Sequence, residues 1–511
     1  VLHNAKFDIQ FLKQSGIDIK GKIVDSMIAS YLLESGSREH SLDKQVLKRL
    51  GHQMISIEAM IGKGKSQISF GELKSKDAYI YAAEDAVYTW RLWEILRTEI
   101  QSKGLEKPFY EVELPLMKVL AEVESHGISL DSQALNRFSQ ELGTRIKELN
   151  ELIIQSAGEV FNISSPKQLS EILFDKLGLK PTKKTKSGYS TDAAVLESLK
   201  SAHPIIEFIL EIRELEKLKN TYVDVLPSLV QGWSGRLHTH FNQVITATGR
   251  LSSTNPNLQN IPVRTDLGKR IRSTFIAKDE DHVLMAADYS QIELRVLAHL
   301  SKDPNLIEAY CNEVDIHTET AAAIYQVDPA FVDSGMRRNS KAINFGILYG
   351  MSAFRLSRDL GIPRGQAQEF IDGYFSHYAE VPGFIEQTVA QARADGYIET
   401  LGGHRRYLPG LDDDNRNVQA GAERMAVNTP IQGTAAELIK RAMISIFNKL
   451  KQSNLRCEML LQVHDELVFE VHKEDLEEAK HLVVSEMEGA ADLVVPLSVE
   501  AGFGSNWLEA H

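Results

Sequence analysis

The stretch MLLQVHDELVFEV, residues 459–471, places two apolar runs of β-type residues on either side of His464, Asp465 and Glu466. Two such runs this close together predict the paired strands of a β-hairpin. A hairpin usually turns through Asn-Gly or Asp-Gly, where a positive φ costs little. Two acids and a histidine in this position therefore indicate a role beyond reversing the chain.

A separate apolar run, VLMAA at residues 283–287, predicts a buried strand that leads directly into Asp288. An acid at the end of a buried strand lies where a sheet opens to solvent, and rigid backbone holds it there. Such an acid can ligate a hard cation. An Asp that caps the following helix would give the same pattern.

Asp465 favours the metal interpretation of Asp288, because the hairpin and this strand are expected to share one sheet. Two carboxylates from separate strands are the minimum for bridging two Mg²⁺ ions about 4 Å apart, as in phosphoryl transfer. Glu466 is either a third, auxiliary acid or a solvated turn residue. His464 could ligate a metal, but hard Mg²⁺ prefers oxygen, so a hydrogen bond to phosphate or backbone is favoured.

The stretch RRNSKAINFGILYGMS, residues 337–352, spaces two cations and two aromatic residues four positions apart. On a helix, Arg337, Lys341, Phe345 and Tyr349 form one slowly rotating stripe. Cations suit a triphosphate and aromatic rings suit a base or sugar, so the stripe matches a nucleotide laid along the helix. Alternatively, the aromatic pair lies in the core and the cations extend past its edge. The acids described above favour the nucleotide.

Residues 246–275 form a basic island in an acidic chain, with a single acid. Its cations are Arg250, Arg264, Lys269, Arg270 and Arg272. Together with the intervening Ser, Thr, Asn and Gln residues, they are typical ligands of duplex phosphates and sugars, although a polar surface loop would be similar. The lysine-rich stretch at residues 179–191 interrupts a mainly helical region. It fits a solvated loop and contact with a phosphate backbone equally well.

Length and composition narrow the class of protein. At 511 residues the chain is too long for one core, so two to four domains are expected. Its two cysteines exclude a disulfide framework and a cysteine-rich zinc module. The net charge of -13 argues only weakly against nucleic acid, since binding depends on where cations cluster. No membrane-length apolar run or signal peptide is visible, so a cytoplasmic protein is expected, and the start inside an apolar run indicates a fragment.

Three segments in this order resemble the polymerase motifs of the family A DNA polymerases, in the large-fragment form of the bacterial polymerase I type. They are DYSQIELR at 288–295, RRNSKAINFGILYG at 337–350 and QVHDELVFEV at 462–471. TATGRLSSTNPNLQNIP at 246–262 and NTPIQGTAAELIKRAM at 428–443 match further segments of the family. The resemblance covers essentially the whole chain.

The resemblance implies a multidomain fold with α/β and α+β parts. A truncated ribonuclease H-like exonuclease domain at residues 1–105 would precede a right-hand polymerase domain at 106–511. The polymerase would have a thumb at about 106–245, a palm at about 246–302 and 425–511, and fingers at about 303–424.

The implied activity is template-directed DNA synthesis by a monomer, in DNA replication and in repair, including primer removal and gap filling. Asp288 and Asp465 would bind two Mg²⁺ ions, for which Mn²⁺ could substitute, with the Tyr289 carbonyl as a ligand and Glu466 as a catalytic auxiliary. Implied contacts to the dNTP are Gln291, Glu293, His317, Arg337, Lys341, Phe345 and Tyr349. Implied contacts to primer-template DNA are Arg250, Arg264, Arg424, Asn428, Gln432 and His464.

Two of these positions imply substrate selection. Glu293 would block a ribose 2′-hydroxyl. Phe345 stands where some family members have Tyr, and Phe resembles the members that discriminate against dideoxynucleotides.

The first hundred residues resemble part of the family's 3′→5′ exonuclease domain. HNAKFD supplies Asn4 and Asp8, and YAAED supplies Tyr81 and Asp85, which match the second and third exonuclease motifs. The Asp-x-Glu of the first motif would lie before Val1, so proofreading is expected to be absent from this chain. A nuclease would need those missing acids, and a binding protein without catalysis would lack one of the two polymerase carboxylates, so a polymerase is favoured.

Overall fold

The structure, a computed structural model, describes residues 1–185 and 188–511. In residues 1–105 the elements are helices, together with one isolated parallel bridge between Leu2 and Asp25. The helices are α1 (Ala5–Gln14), α2 (Ser26–Leu33), α3 (Leu42–Leu50), α4 (Ile57–Ile61) and α5 (Ser75–Ser102), with short 3₁₀ turns at Gly64–Ser66 and Phe70–Glu72. Among these described residues the bridge is the only β-type pairing, and the sheet expected of an α/β unit is not formed.

The next part of the chain is mainly helical, as the sequence predicts. Its helices are α6 (Leu114–His126), α7 (Ser132–Ala157), α8 (Pro166–Ser170), α9 (Ala193–Ser198), α10 (Ile205–Leu218) and α11 (Leu226–Leu229), with π-helical turns at Pro108–Glu113, Glu171–Lys176 and Lys219–Val223. Short strands are β1 (Ser129–Leu130), β2 (Lys184–Thr185) and β3 (Gly188–Tyr189). The lysine-rich stretch contains the β2–β3 pair, and its residues 186 and 187 lie outside the described residues.

Residues 240–301 contain the buried strand before Asp288 that the sequence predicts, and one helix that the sequence does not predict. The elements are β4 (His240–Asn242), β5 (Ser252–Thr254), α12 (Asp266–Arg272), β6 (Phe275–Ile276), β7 (His282–Tyr289) and α13 (Ile292–Ser301). The unexpected helix is α12, which begins because the hydroxyl of Thr265 accepts a hydrogen bond of 3.1 Å from the backbone N–H of Gly268.

The remainder returns to helices and ends in strands. The helices are α14 (Pro304–Cys311), α15 (Ile316–Tyr325), α16 (Ser334–Leu348), α17 (Ala353–Leu360), α18 (Arg364–His377), α19 (Glu380–Asp395), α20 (Arg416–Gln452), α21 (Leu476–Glu488) and α22 (Trp507–Ala510). The strands are β8 (Tyr397–Glu399), β9 (Arg405–Tyr407), β10 (Cys457–Val463), β11 (Glu466–His472) and β12 (Val499–Gly504). Residue 425, the expected boundary between fingers and palm, lies inside α20.

A four-stranded antiparallel sheet in the order β10, β11, β7, β12 positions the candidate site. Along β7 and β11, Asp288 is opposite Glu466 and His282 is opposite His472, while β12 places Glu500 opposite Asp288 on the other side. α6 packs against β10, and α21 and α22 pack against β7. Because helices cover the sheet, both faces of β7 are buried, as its continuous apolar run predicts.

Every helix in the described part of the chain is too short or too polar to cross a membrane.

Gly127, directly after α6, makes a close approach that leaves no room for a side chain. It has φ +62° and ψ -176°, and a Cβ would lie 2.7 Å from the His238 ring and 2.8 Å from the carbonyl of Leu237. We expect Gly127→Ala to lower the free energy of unfolding by roughly 2–4 kcal/mol, through backbone strain and overpacking together. Calorimetric unfolding measures this loss.

Gly104→Ala is the matched control, because Gly104 has φ +66° with open space around it. It should cost only the backbone strain, about 1–2 kcal/mol. Equal losses for the two variants would contradict the steric account of Gly127.

Candidate active site

The turn between β10 and β11 consists of His464 and Asp465. His464 has φ +54°, in the left-handed region where short hairpins usually place Gly. Its carbonyl accepts a hydrogen bond of 2.6 Å from the side-chain amide of Gln462, whose oxygen accepts one of 3.0 Å from Gln259. A strained turn supported by amides is typical of a site where position matters more than local stability.

Asp465 and the end of β7 meet at one rim of the sheet. The backbone N–H of Tyr289 donates a hydrogen bond of 3.2 Å to the carbonyl of Asp465, so the turn lies directly beside Asp288. Asp288 does not cap the next helix, because the N-cap of α13 is Gln291. The capping alternative for Asp288 is therefore wrong.

Both carboxyl groups at the rim hold protons more tightly than an exposed Asp does. Burial and the negative charges of Asp465, Glu466 and Glu500 raise the pKa of Asp288 to about 7. Burial raises the pKa of Asp465 to about 6, with Glu293 adding to the effect and Arg250 opposing it. Neither carboxylate forms an ion pair among the described residues. The rim therefore carries negative charge without a cation partner.

This charge and the oxygen donors fit a hard divalent cation. Asp288, Asp465 and the carbonyl of Tyr289 would be the protein ligands. No group of three or more His, Cys, Asp and Glu side chains in residues 1–185 and 188–511 is arranged to enclose a metal. Mg²⁺ commonly binds one or two carboxylates and completes its shell with water and phosphate oxygens, so this donor set fits an open site.

Glu466 is buried rather than solvated, so the turn-residue alternative is wrong. It is only 4% exposed, and its Oε1 accepts a hydrogen bond of 2.7 Å from the indole nitrogen of Trp507. Its Oε2 lies 3.7 Å from a guanidinium nitrogen of Arg272 and 3.6 Å from the His511 ring. The charge of Glu466 is thus paired, whereas that of its strand neighbour Asp288 is not.

Glu293, near the start of α13, is held by two partners. Its Oε1 is paired with the guanidinium of Arg250, and its Oε2 accepts a hydrogen bond of 2.8 Å from the hydroxyl of Tyr349. Glu293 is 5% exposed, so its carboxylate has little freedom. Gln291 lies close by in a left-handed conformation and accepts a hydrogen bond of 3.1 Å from Tyr310.

Arg337, Lys341 and Phe345 lie along α16, and Tyr349 directly follows its end; we call these four the α16 stripe. The carboxylate of Asp315 accepts a hydrogen bond of 2.7 Å from Arg337 Nε. The two terminal nitrogens of Arg337 have no hydrogen-bond partner among the described residues. Lys341 is exposed and has no ion pair among the described residues. The structure therefore brings two available cations and two aromatic rings together, as the spacing predicts.

His317 lies beside this stripe at the start of α15. Its ring centre is 6.0 Å from that of Phe345. The pKa of His317 is lowered to about 4, mainly by burial; Asp315 raises it, and the charges of Lys341 and Arg337 lower it. The imidazole is therefore neutral near pH 7.

Arg424, Asn428 and Gln432 form a second stripe, four residues apart on α20. Arg424 is exposed, and Asn428 and Gln432 are half-buried. Gln432 is within hydrogen-bonding reach of Tyr349, so this stripe borders the α16 stripe. His464 is exposed as a residue, but desolvation of its ring and the charges of Arg250 and Arg272 lower its pKa.

The basic island divides by burial. Arg264 is exposed, whereas Arg272 is 1% exposed, with its guanidinium 4.1 Å from the centre of the Trp507 ring. Arg270 is paired with Glu141 at 2.7 Å. The interpretation of Arg272 as a phosphate ligand is therefore wrong, because its charge is used inside the protein.

The exonuclease-like residues lie on or beside two helices, with Asn4 and Asp8 at the start of α1 and Tyr81 and Asp85 on α5. Asn4 precedes α1, and its N–H donates a hydrogen bond of 3.2 Å to buried Asp25. Burial raises the pKa of Asp8, and burial with Glu84 raises that of Asp85 to about 6. Tyr81 lies near Asp85, and no hydrogen bond joins Asp8 to either of them in the described part of the chain.

Four residues that the sequence analysis did not single out complete the site. They are Asp315, Asn344, Glu500 and Trp507. Asp315 could have been found, since an Asp two residues before His317 at a helix start is a typical N-cap. The other three carry no local signal, because their contacts come from distant parts of the chain.

The chain is similar to known polymerases over its whole length. The family model DNA polymerase family A matches residues 132–509, and a 3′-5′ exonuclease model matches residues 1–101. DNA polymerase I of Bacillus subtilis is 45% identical over 509 residues, covering 99% of this chain and 57% of that protein. The thermostable DNA polymerase I of Thermus filiformis is 53% identical over 431 residues, covering 84% of this chain and 51% of that protein.

A solved structure described as the POL domain of Pol1 from M. smegmatis, in complex with DNA primer-template and dNTP, has a TM-score of 0.91. It is 40% identical and covers 100% of this chain and 86% of that one. The molecule thus has a mixed helix and strand polymerase fold. The chain belongs to DNA polymerase family A, and it spans between 51% and 57% of the length of the two curated relatives.

The unpaired charge at the rim predicts that Asp288→Asn stabilises the metal-free protein. A carboxyl whose pKa is raised from 3.8 to about 7 destabilises the fold when ionised, and this cost grows as the pH rises from about 4 to about 7. We expect the variant to exceed wild type by on the order of 2 kcal/mol at pH 8. Urea unfolding with a chelator present measures the difference.

The gap between the two proteins should shrink as the pH is lowered, while exposed Asp492→Asn should show no comparable gap. A variant that is less stable than wild type at pH 8 would refute the explanation.

Proposed function

We propose that this chain catalyses template-directed DNA synthesis, extending a primer 3′-hydroxyl with a dNTP. One observation carries the proposal: two half-buried carboxylates at a rigid sheet rim have no ion-pair partner among the described residues, while the adjacent acids Glu466 and Glu293 are paired. Family membership supports it, as does the relative that was solved with primer-template and dNTP.

The cofactor that suits this donor set is Mg²⁺, with Mn²⁺ as a substitute of similar ligand preference. Asp288, Asp465 and the Tyr289 carbonyl would hold two ions. When bound, such ions stabilise the attacking and the leaving oxygen in phosphoryl transfer. The protein contributes rigidity, since Asp288 is on β7 and Asp465 is in the turn that leads directly into the paired strand β11.

The dNTP would lie along the α16 stripe. The free terminal nitrogens of Arg337 and the ammonium of Lys341 would bind the triphosphate, and a neutral His317 would donate a hydrogen bond to it. Phe345 and Tyr349 would contact the sugar and base. Gln291 and Glu293 would bound the sugar on the side of α13.

The DNA would be bound by residues that flank these groups. Arg264 and Arg424 are exposed cations suited to phosphates. Asn428, Gln432 and His464 offer neutral hydrogen-bonding groups near the primer end, and Arg250 lies between them and Glu293. We expect the protein to act on DNA as a monomer, in the bacterial nucleoid.

Family membership is also the basis for assigning the thumb, palm and fingers. The thumb would comprise the helices from about residue 106 to about residue 245. The palm would comprise the four-stranded sheet with its flanking helices, and the fingers would comprise the helices that surround α16. Residues 1–105 would form the exonuclease-like part.

Asp465→Asn tests the assignment directly. We expect primer extension to fall roughly a thousandfold or more, because one of two metal-binding carboxylates is lost. Affinity for a primer-template duplex should change by no more than about twofold, since duplex binding depends mainly on cations elsewhere. A single-turnover gel assay and fluorescence anisotropy at fixed salt measure the two quantities. Near-normal extension by this variant, with Asp492→Asn as control, would overturn the proposal.

Glu293 provides a test of sugar selection. If its bulk excludes a ribose 2′-hydroxyl, Glu293→Ala should raise the ratio of ribonucleotide to deoxyribonucleotide insertion about tenfold or more. Glu293→Gln has nearly the same size and should retain most of the discrimination. Single-nucleotide insertion kinetics give both ratios. The same ratio in wild type and Glu293→Ala would rule out this role.

A further inference from the structure

The two ring nitrogens of His317 have different surroundings. Nδ1 lies 2.9 Å from the side-chain nitrogen of Asn344, on α16. Nε2 has no hydrogen-bond partner in the described part of the chain. The residue is 2% exposed, and its backbone carbonyl accepts a hydrogen bond from Ser340, so the ring is tightly held. One nitrogen is thus committed to the protein and the other is free for a ligand.

A neutral imidazole can donate a hydrogen bond from only one nitrogen, and the partner of the other nitrogen decides which. His317 is neutral chiefly because it is buried; Asp315 favours the charged ring, and Lys341 and Arg337 oppose it. The tautomer of His317 therefore decides whether Nε2 can donate a hydrogen bond to an anion. A proton on Nε2 makes the free nitrogen a donor, whereas a proton on Nδ1 leaves a lone pair that repels phosphate.

Asn344 belongs to a buried chain of polar groups. Its side-chain oxygen is 3.1 Å from the hydroxyl of Thr320, which is 2.9 Å from the hydroxyl of Tyr378, the residue directly after α18. Asn344 is 1% exposed, and Thr320 and Tyr378 are fully buried. Water has little access to these groups, so each must find its partner within the chain.

Two arrangements of protons satisfy this chain. In the first, Tyr378 donates to Thr320, Thr320 to the oxygen of Asn344, and the amide nitrogen of Asn344 to Nδ1. In the second, Thr320 donates to the carbonyl of Ile316 at 2.7 Å, and the amide is reversed so that its oxygen takes a proton from Nδ1. That carbonyl already accepts the helical N–H of Thr320, so it does not require the hydroxyl. Only the first arrangement presents an N–H to an anion.

We propose that Asn344 is a positioning residue that holds neutral His317 in the tautomer protonated on Nε2, through the chain of Thr320 and Tyr378. The dNTP triphosphate then meets two charged groups on α16 and one uncharged donor on α15. Because the donor is uncharged, its hydrogen bond does not change with pH near neutrality. The inference rests on the proposed function, since the triphosphate is the anion concerned.

The first test uses the wild-type protein, so it does not depend on a variant that folds. Histidine is labelled with ¹⁵N, and long-range ¹H–¹⁵N spectra are recorded on the complex with dideoxy-terminated primer-template and the matching dNTP. Loss of a signal in His317→Gln assigns the residue. We expect a neutral ring protonated on Nε2. A ring protonated on Nδ1, or on both nitrogens, would overturn the inference.

The second test separates positioning from mere structural support. In Asn344→Asp the carboxylate can only accept, so it draws the proton to Nδ1 and raises the pKa of His317. The KM for dNTP should then rise with pH, about tenfold between about pH 6 and pH 8.5, as the doubly protonated ring is lost. The value of kcat should change much less.

Asn339→Asp is the matched control, with the same chemical change on the same helix. The side chain of Asn339 donates a hydrogen bond of 2.9 Å to Tyr325, away from His317. Its KM profile should follow that of wild type. Parallel profiles for both variants would overturn the role of Asn344. If wild type itself failed to extend a primer, the proposed function would fall first, whereas normal extension with the wrong tautomer refutes this inference alone.

Discussion

The antiparallel pairing of β7 with β11 is the constraint on which the rest of the structure depends. It sets Asp288 opposite Glu466 and beside the turn that carries Asp465. A slip of one residue would turn each side chain to the other face of the sheet. The buried apolar runs prevent such a slip, because each large side chain contributes about 1.5–3 kcal/mol on burial. Hydrophobic burial thus holds together carboxylates that repel each other.

The acids around this rim differ in whether a positively charged group lies beside them. Glu466 is compensated by Arg272 and by the indole of Trp507, and Glu293 is compensated by Arg250. In these pairs the attraction between opposite charges offsets part of the desolvation penalty of each buried acid. Asp288 and Asp465 have no such partner in the described part of the chain, and burial raises both of their pKa values. Local instability of this kind is typical of groups whose partner is a ligand rather than the protein.

Local sequence pattern was sufficient to predict those elements whose structure depends on nearby residues. The buried strand β7, the hairpin and the spacing along α16 follow from hydrophobic periodicity, which the chain shows within a few residues. Burial of single cations could not be predicted this way. Arg264 and Arg272 look alike in sequence, and only Trp507, which comes from the far end of the chain, makes Arg272 an internal residue. The proton arrangement around His317 likewise depends on Thr320, which is on α15, and on Tyr378, which directly follows α18.

The exonuclease-like part contributes to the polymerase site through buried hydrogen bonds. The hydroxyl of Tyr31 donates to the carbonyl of Thr246 at 2.6 Å, and the hydroxyl of Thr246 donates to the carbonyl of Arg250 at 2.5 Å. Lys6 pairs with buried Glu124, which also accepts the backbone N–H of Phe241 at 2.6 Å. Removing one partner would leave a buried polar group unsatisfied, at a cost of about 1–3 kcal/mol. Residues 1–105 therefore support the segment that carries Arg250, and this structural role does not depend on any chemistry of their own.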